Sequence, residues 1–176
     1  MTIHTPALNV RRASTEDAKL LADLGARTFA ETFSEDNSAE DMAAYMAASF
    51  NPEHLTAELN DPLSVFFVAE VDGGAAGYAK IHSGEAPAGV GGQRPIELVR
   101  LYVLQEWLGR GVGPALMRRC IEEARGLGFQ TIWLGVWERN RRAQAFYRKW
   151  DFYEVGEHIF RLGSDPQRDV VMQRAL

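Results

Sequence analysis

The segment from Leu101 to Ala124 joins an apolar, strand-like run to a helical pattern through a turn rich in glycine. Three alternating glycines, Gly109, Gly111 and Gly113, stand directly before the helix. Glycine lets a backbone turn sharply and approach a ligand closely, and a helix N-terminus offers unpaired N–H groups with a partial positive charge. The pattern is typical of a phosphate or pyrophosphate site. Glycines that only pack a helix against a strand are the alternative.

The spacing of the glycines disfavours the two commonest nucleotide sites. A Walker A loop has Lys and Ser or Thr after its last glycine, whereas Pro114 and Ala115 follow Gly113. A dinucleotide fingerprint has the spacing G-x-G-x-x-G and an acidic residue at the end of the following strand. Here the spacing is G-x-G-x-G, and TIWLGV ends without an acid. A kinase, an ATPase and a Rossmann enzyme are therefore all disfavoured.

A second helix entrance follows downstream in NRRAQAFYRKWDF. Asn140, Ala143 and Tyr147 are spaced by three and four residues, which places them near one face of a helix. Because each helix follows a strand-like run, the two helix entrances together could hold one elongated ligand.

These two blocks resemble conserved motifs of the GNAT acetyltransferases. LYVLQEWLGRGVGPALM is similar to that family's acyl-CoA motif, Q/R-x-x-G-x-G/A, and NRRAQAFYRKWDF resembles its N-x-x-A-x-x-F-Y-x-K-x-G-F block. RTFAETF, EDMAAYM and IWLGVWERNRRAQAFY look like the bacterial PaiA-type branch, which is associated with polyamine N-acetylation. Three positions depart from the pattern. Leu108 stands in the usual Gln/Arg position, Pro114 lacks an N–H, and Asp151 replaces a glycine at a helix end, where Asp tolerates positive φ.

The resemblance implies where acetyl-CoA, the expected cosubstrate, would bind. The strands IELVRLYV and TIWLGVW would run parallel but splay apart, and pantetheine would fill the gap by pairing with the backbone of Leu101, Tyr102 and Val103. The pyrophosphate would sit on the amides of the turn, which are those of Gly109, Arg110, Gly111, Val112 and Gly113. Arg110 is also expected to meet the phosphates by its side chain; Arg141, Arg142 and Arg148 are further basic residues that could do so.

Acetyl transfer to an amine needs a proton donor for the leaving thiolate and a route for the proton of the ammonium. The resemblance places Tyr147 beside the thioester sulfur, and a pKa of about 10 keeps a tyrosine protonated at neutral pH. An aromatic pair with Phe146 is its alternative role. Glu97 is the candidate base acting through water, or else an exposed strand end. Asn140 would orient the cofactor and could also cap its helix. The Val103 N–H would polarise the carbonyl.

A length of 176 residues fits a single domain over 1–176. Cys120 is the one cysteine, and the four histidines lack the paired spacings of zinc sites, so neither a disulfide framework nor a metal is expected. Cys120 shares an apolar helical stripe, which disfavours a nucleophilic role. The chain has no apolar run of about 18 residues, and MTIHTPALNVRR lacks the pattern of a signal peptide. These features predict a cytosolic protein without a membrane span.

The net charge of −5 is unevenly distributed. Residues 1–88 carry 14 acidic and 5 basic residues, while residues 89–176 carry 10 acidic and 14 basic ones. The acidic half could attract a cationic substrate and the basic half an anionic cofactor, or both could be solvated helix faces. An acidic group in the first two helices could likewise either attract a cationic substrate or form a solvated helix face. Its members are Glu31, Glu35, Asp36, Glu40 and Asp41. Nucleic-acid binding is disfavoured because no overall positive charge is present.

The pattern of elements predicts a mixed α/β (α+β) fold. A strand at Leu8–Arg12 comes first, and three helices and a hairpin turning at Asp72–Gly74 follow it. The helices are predicted to be capped by Ser14 or Thr15, by Ser38, and by Asn51 with Pro52 in the first turn. A loop over Ser83–Pro95, a third strand, the glycine turn with its helix, a strand and a helix come next. Two tail strands follow, FYEVGEHIFRL and DVVMQRAL, the second of which starts at Asp169. His158 in the first tail strand could lie near the acceptor, although a lone strand histidine is usually structural. The family fold implies a mostly antiparallel central sheet of about seven strands, one splayed parallel pair and helices on both faces.

The leading functional hypothesis is an acetyl-CoA-dependent N-acetyltransferase that acts directly on a small amine, with polyamines first among acceptors. The alternatives are an acetyl-CoA sensor with little turnover, and an enzyme acting on an amino acid, a protein N-terminus or an antibiotic amine. A homodimer formed through the tail strands is left open.

Overall fold

The computed structural model describes residues 6–176, and the first five residues, including His4, lie outside that range. The helices are α1 Ala18–Phe33, α2 Ala39–Ser49, α3 Pro52–Asn60, α4 Val112–Gly126 and α5 Arg141–Lys149. The strands are β1 Leu8–Arg12, β2 Ser64–Val71, β3 Gly74–His82, β4 Pro95–Val103, β5 Thr131–Trp137, β6 Tyr153–Leu162 and β7 Asp165–Ala175.

Helix starts follow the local capping residues that the sequence indicates. The Ser38 side chain accepts a hydrogen bond from the backbone N–H of Asp41, and α2 begins after it. Asn51 accepts from the N–H of His54 at 2.8 Å, and Pro52 occupies the first turn of α3. Both predicted caps are confirmed.

The first long helix begins after Ser14, one of the two cap residues that the sequence predicts. Its first turn, Thr15–Asp17, is a short 3-10 helix, and α1 continues from Ala18. The Asp17 carboxylate accepts from the Ser14 N–H at 2.8 Å and pairs with Arg11 on β1. This link ties the helix entrance to the edge of the sheet.

One sheet holds all seven strands in the order β1-β2-β3-β4-β5-β7-β6. Every neighbouring pair is antiparallel except β4 and β5. The predicted hairpin between β2 and β3 is confirmed, because Asp72 and Gly73 adopt φ values of 50° and 82° at its turn.

The parallel pair β4–β5 separates shortly after it begins. Its register ends at Glu97 opposite Trp133, although both strands continue. On its other side β4 carries a register shift that leaves Val99 unpaired between Leu98 and Arg100. A bulge of this kind bends a strand and is common beside active sites. The bend opens a gap between β4 and β5.

Helices cover both faces of the sheet, as predicted. On one face α4 buries Leu116, Cys120 and other apolar residues against the central strands. On the other face α1 and α3 bury Leu21 and Leu55. A smaller cluster joins α1 and α2 to the end of β6 through Phe29, Met42, Phe50 and Leu162.

The last strand is longer than the sequence predicts. The predicted strand starts at Asp169, but β7 begins at Asp165. Gly163, with φ 59°, allows a tight turn, so that β6 and β7 pair from Leu162–Asp165 onward. Asp169 consequently lies within a paired strand and not at its end. No helix within residues 6–176 is long and apolar enough to cross a membrane.

Candidate active site

A cavity of about 890 Å³ opens along the gap between β4 and β5. It is lined by α1, α2, β4, the glycine turn, β5, α5 and the hairpin of β6 and β7. Nine of the residues predicted to form the site lie on its wall, namely Glu97, Leu101, Tyr102, Val103, Gly109, Gly111, Gly113, Asn140 and Tyr147. The fold therefore brings the two sequence motifs to one place.

The structure gives a reason for two of the three glycines of the turn. Gly109 and Gly111 have φ values of 75° and 88°, and no heavy atom lies within 4 Å of the position that a Cβ would take at either residue. Gly113 lies within α4, where an added Cβ would stand 3.6 Å from the Phe146 ring, an ordinary van der Waals distance. Backbone conformation thus favours glycine at the first two positions, and sterics do not require it at the third.

The turn presents backbone donors that the protein itself leaves unused. The N–H groups of Gly109, Gly111, Val112 and Gly113 make no hydrogen bond to residues 6–176. The structure differs from the prediction at Arg110, whose N–H donates to the Trp107 carbonyl at 3.3 Å. Four free donors at a helix N-terminus are an arrangement that can bind an anion such as a pyrophosphate.

The edge of β4 that faces the gap offers further backbone groups. Leu104 donates its N–H to the Ala76 carbonyl of β3 at 2.9 Å. Since hydrogen-bonded residues alternate in an antiparallel pair, Tyr102 also bonds to β3, while the N–H and C=O of Leu101 and Val103 point into the gap. A ligand with amide groups could pair there as an added strand does.

Asn140 acts as the N-cap of α5. Its side-chain oxygen accepts the N–H of Ala143 at 3.1 Å, so the structural role proposed for it from sequence is confirmed. Both Ala143 and Tyr147 line the cavity, which agrees with their spacing on one helix face. Asp151, just beyond α5, has a φ of 64°, as expected for the residue that replaces glycine in the motif.

Tyr147 presents its side chain to the cavity from α5. Its ring packs against Phe146 and Phe152, with centroid separations of 5.6 Å and 5.8 Å. Its hydroxyl makes no hydrogen bond to a described residue. Burial raises the pKa of Tyr147, with a smaller contribution from nearby Cys120. The hydroxyl therefore remains a proton donor well above neutral pH.

Glu97 lies on β4 at the last paired position before the gap. The side chain is half-buried on the cavity wall, so the alternative of an exposed strand end is wrong. Burial raises the pKa of Glu97, while Lys80 and Arg100 oppose that rise. Its carboxylate makes no hydrogen bond to residues 6–176. Such a group can exchange a proton with a ligand or water.

The basic residues named from sequence have different surroundings. Arg142 lines the cavity, whereas the Arg110 guanidinium lies 5.5 Å from the centre of the Trp107 ring. Arg148 bonds to Glu154 at 2.6 Å. Arg141 is exposed at the start of α5.

Two members of the acidic group are already engaged in structural contacts. Glu31 pairs with Arg27 at 3.0 Å and accepts the N–H of Gln105. Asp41 accepts from the N–H and hydroxyl of Ser164, which fastens α2 to the hairpin of β6 and β7. The other three, Glu35, Asp36 and Glu40, are exposed.

Sequence reasoning missed several residues that line the cavity or support its wall. Arg100 is buried in a bidentate ion pair with Glu58, which Lys80 also joins at 2.8 Å. Asp169, which sequence reasoning did not name, and His158, which it treated as structural, both line the cavity from β7 and β6. One sequence feature could have pointed to Asp169 and His158, namely Gly135 in the middle of an apolar strand, because glycine at such a position often marks the close approach of other groups.

Neither a thiol nor a metal centre is present as an alternative catalytic group in residues 6–176. Cys120 is fully buried, and burial raises its pKa to about 12. No group of three or more His, Cys, Asp or Glu side chains there is arranged to hold a metal ion. The titratable groups on the cavity wall include the carboxylates of Glu31, Glu97 and Asp169, the hydroxyls of Tyr45, Tyr102 and Tyr147, and the imidazole of His158.

Comparison with known proteins agrees with this geometry. The model of the acetyltransferase (GNAT) family matches residues 23–152. The uncharacterized N-acetyltransferase in the pepI 3′ region of Lactobacillus delbrueckii subsp. lactis is 34% identical over 96% of this chain and 98% of its own length.

Solved structures share the fold at lower identity. The PaiA N-acetyltransferase from Thermoplasma acidophilum in complex with coenzyme A is 20% identical, with a TM-score of 0.75, over 97% of this chain and 99% of its own. A ribosomal-protein-alanine N-acetyltransferase from Brucella melitensis is 23% identical, with a TM-score of 0.68, over 96% of this chain and 99% of its own. The family match and the curated relative show that the chain belongs to the acetyltransferase (GNAT) family and is an acetyl-CoA-dependent N-acetyltransferase.

Proposed function

We propose that the chain transfers the acetyl group of acetyl-CoA to a primary amine of a small acceptor, and that polyamines are its first candidate acceptors. The observation that carries the proposal is the single cavity that joins free backbone donors at the glycine turn to carboxylates beyond the β4–β5 gap. The resemblance of the sequence to PaiA-type proteins supports the choice of polyamines, and the chain shares its fold with the PaiA N-acetyltransferase from Thermoplasma acidophilum.

Bound acetyl-CoA supplies an activated acetyl thioester. The free N–H groups of Gly109, Gly111, Val112 and Gly113 would hold its pyrophosphate. Leu101 and Val103 would hold its pantetheine arm through their free backbone groups. The side chain of Arg110 would contact the phosphates of acetyl-CoA, as predicted from the sequence, and its exposed position permits this contact.

Three residues would move or stabilise charge during the transfer. Glu97 accepts the proton of the acceptor ammonium through water, and the Val103 N–H donates to the thioester carbonyl. Tyr147 donates a proton to the departing thiolate from its hydroxyl oxygen. Asn140 supports this arrangement by capping α5, the helix that carries Tyr147.

The proposal is tested by incubating the protein with acetyl-CoA and a panel of amines while free thiol is followed. The panel contains spermidine, spermine, simple alkylamines, amino acids, a peptide with a free N-terminus and an aminoglycoside. We expect the highest kcat/KM with a polyamine. A higher value with another member would reassign the acceptor, and binding of acetyl-CoA without transfer to any member would favour the sensor hypothesis.

Replacement of Glu97 by glutamine is expected to lower kcat/KM for the amine at least about tenfold at neutral pH. In the wild type, kcat/KM should increase as the pH rises through the raised pKa of Glu97 and should then level off. The reason is that deprotonated Glu97 can accept the proton of a protonated amine. In Glu97→Gln the amine must arrive neutral, so kcat/KM should keep rising towards the amine pKa of about 10.

The matched control for this measurement is Glu122→Gln, which changes an exposed glutamate of α4 outside the cavity wall. Its pH profile should match that of the wild type. If Glu97→Gln levels off at the same pH as the wild type, the base is another group.

Two further predictions from the sequence concern location and assembly. The single cysteine favours a reducing compartment, and we propose the cytoplasm. Among the described strands, β6 forms one outer edge of the sheet, through which two copies could pair as a homodimer. Light scattering during gel filtration gives the mass of the assembly directly.

A further inference from the structure

The far wall of the cavity contains a pair of polar side chains to which the proposed reaction assigns no role. His158 on β6 and Asp169 on β7 are directly opposite each other in the antiparallel register. Both side chains reach towards β5, where an added Cβ on Gly135 would stand 2.6 Å from His158 Cε1 and 3.2 Å from Asp169 Oδ2. The side chains of His158 and Asp169 thus occupy the space that a side chain at position 135 would take.

The pair has polar atoms that the protein leaves without partners. Asp169 makes no side-chain hydrogen bond or ion pair to residues 6–176, and His158 Nδ1 is inaccessible to solvent and unpaired among them. Burial raises the pKa of Asp169 to about 6. A half-buried carboxylate on a cavity wall with no cation of its own is most readily satisfied by a cationic ligand.

Glu97, the other unpaired carboxylate on the cavity wall, has different surroundings. Lys80 and Arg100 lie close enough to Glu97 to favour its charged form. For Asp169, burial is the cause of the raised pKa, and its carboxylate forms no ion pair with a basic side chain of residues 6–176. The two acids are therefore suited to different tasks, with proton exchange at Glu97 and cation binding at Asp169.

Aromatic rings surround the same end of the cavity. We call Phe29, Phe33, Tyr45, Trp137 and Phe160 the aromatic wall, and all five line the cavity. Ring centroids are 5.6 Å apart for Phe33 and Trp137 and 5.3 Å apart for Tyr45 and Phe160. Aromatic faces attract cations and pack well against methylene groups.

The position of the pair relative to the gap suits an acceptor. Pairing of β4 with β5 ends at Trp133, and Gly135 is the second residue beyond it on β5. Successive side chains of a strand alternate between faces, so Gly135 lies on the same face as Trp133 and, through the parallel register, as Glu97. The pair over Gly135 thus lies beside the point where the strands separate.

We propose that Asp169, placed over Gly135 beside His158, is the specificity-determining carboxylate that binds the ammonium group of the acceptor, whose methylene chain packs on the aromatic wall. The chemical class of acceptor is therefore a primary alkylamine with an unbranched carbon chain. This inference rests on the proposed function, because it assigns the acceptor end of the same cavity. His158 is a positioning residue that fills the space next to the carboxylate.

The test compares wild type, Asp169→Asn and the control Asp165→Asn, which makes the same change at an exposed position of β7. Calorimetry with n-hexylamine is carried out on protein saturated with coenzyme A, so that no turnover is needed. Asp169→Asn should weaken amine binding at least about tenfold, because a charge-assisted contact is lost. The same variant should change the affinity for n-hexanol, measured by competition with n-hexylamine, by less than about twofold, because n-hexanol carries no charge.

Kinetics with spermidine or n-hexylamine give a second readout. KM for the amine should rise about tenfold in Asp169→Asn, while kcat should change less than about threefold and the affinity for acetyl-CoA should remain unchanged. Gly135→Ala displaces the pair without changing its charge and should weaken n-hexylamine binding too, with folding of each variant checked by its melting temperature.

The outcomes separate this inference from the proposed function. If wild-type protein acetylates no amine of the panel but n-hexylamine still binds in a manner that needs Asp169, the proposed function fails and the ammonium site stands. If wild-type protein acetylates amines and Asp169→Asn binds them equally well, the ammonium site is overturned and the function stands. Equal losses for n-hexylamine and n-hexanol would also overturn it.

Discussion

Replacement of Tyr147 by phenylalanine is expected to lower kcat about 100-fold. The expectation follows from the surroundings of the side chain. Its hydroxyl makes no hydrogen bond to a described residue and faces the cavity, and burial raises its pKa, so the group is available as a proton donor. The variant keeps the ring that packs on Phe146 and Phe152, and the fold should be unaffected.

The measurement for Tyr147→Phe is steady-state kinetics together with calorimetric binding of acetyl-CoA. Affinity for acetyl-CoA should stay within a factor of about two, because the cofactor contacts proposed above are backbone groups and the Arg110 side chain, none of which the substitution changes. Tyr153→Phe is the control, since it removes a tyrosine hydroxyl of β6 that does not line the cavity and that accepts a hydrogen bond from Gln173 Nε2 at 2.8 Å. Unchanged kcat in Tyr147→Phe would remove the acid role and leave only the packing role of this ring.

Replacement of Gly111 by valine is expected to reduce acetyl-CoA affinity at least about 100-fold in a folded protein, because charge-assisted hydrogen bonds to the turn would be lost. A φ of 88° is strained for valine, which would tend to pull the turn out of shape. No heavy atom lies within 4 Å of the added Cβ, so the side chain would project into the open space beside the free N–H groups.

Gly73→Val provides the matched control for Gly111→Val. Gly73 also has a left-handed φ, 82°, with no heavy atom within 4 Å of an added Cβ, but it lies in the β2–β3 hairpin away from the cavity. Both variants should lose similar stability in thermal unfolding, and only Gly111→Val should lose acetyl-CoA binding. Wild-type affinity in Gly111→Val would overturn the assignment of the turn as the pyrophosphate site.

Much of the fold was predictable because its signals are local. The caps at Ser38 and Asn51 and the turn at Asp72–Gly73 depend on residues within a few positions of one another. The cap at Ser14 was predictable for the same reason. The ion pair between Asp17 and Arg11 on the edge strand was not, because a helix-capping pattern does not indicate contacts with a strand.

The cofactor end of the candidate site was also predictable in large part. The glycine turn and α5 are continuous segments, and their residues meet because each is a helix entrance that follows one of two neighbouring strands. The structure changed the details within them. Val112 contributes a free N–H while its side chain is buried, and Arg110 uses its own N–H within the turn.

The proposed acceptor end could be predicted from the sequence only in small part. Asp169 lies within β7, DPQRDVVMQRA, but the sequence predicted a strand only from Asp169 onward. The prediction therefore placed Asp169 at the strand end and not at a paired position inside it. His158 looked like an ordinary strand histidine. Their meeting depends on the sheet order, in which β7 inserts between β5 and β6.

By itself, the sequence determined the glycine turn, the capped helix that carries Tyr147 and the family to which both belong, because these depend on backbone preferences and spacings within short segments. Only the tertiary structure decided which carboxylates face the cavity and which are already paired. Glu31 and Asp41 are held by neighbours, while Glu97 and Asp169 are left free. The physical reason is that the charge state and availability of a side chain depend on burial and on partners distant in sequence, and these exist only once the sheet has assembled.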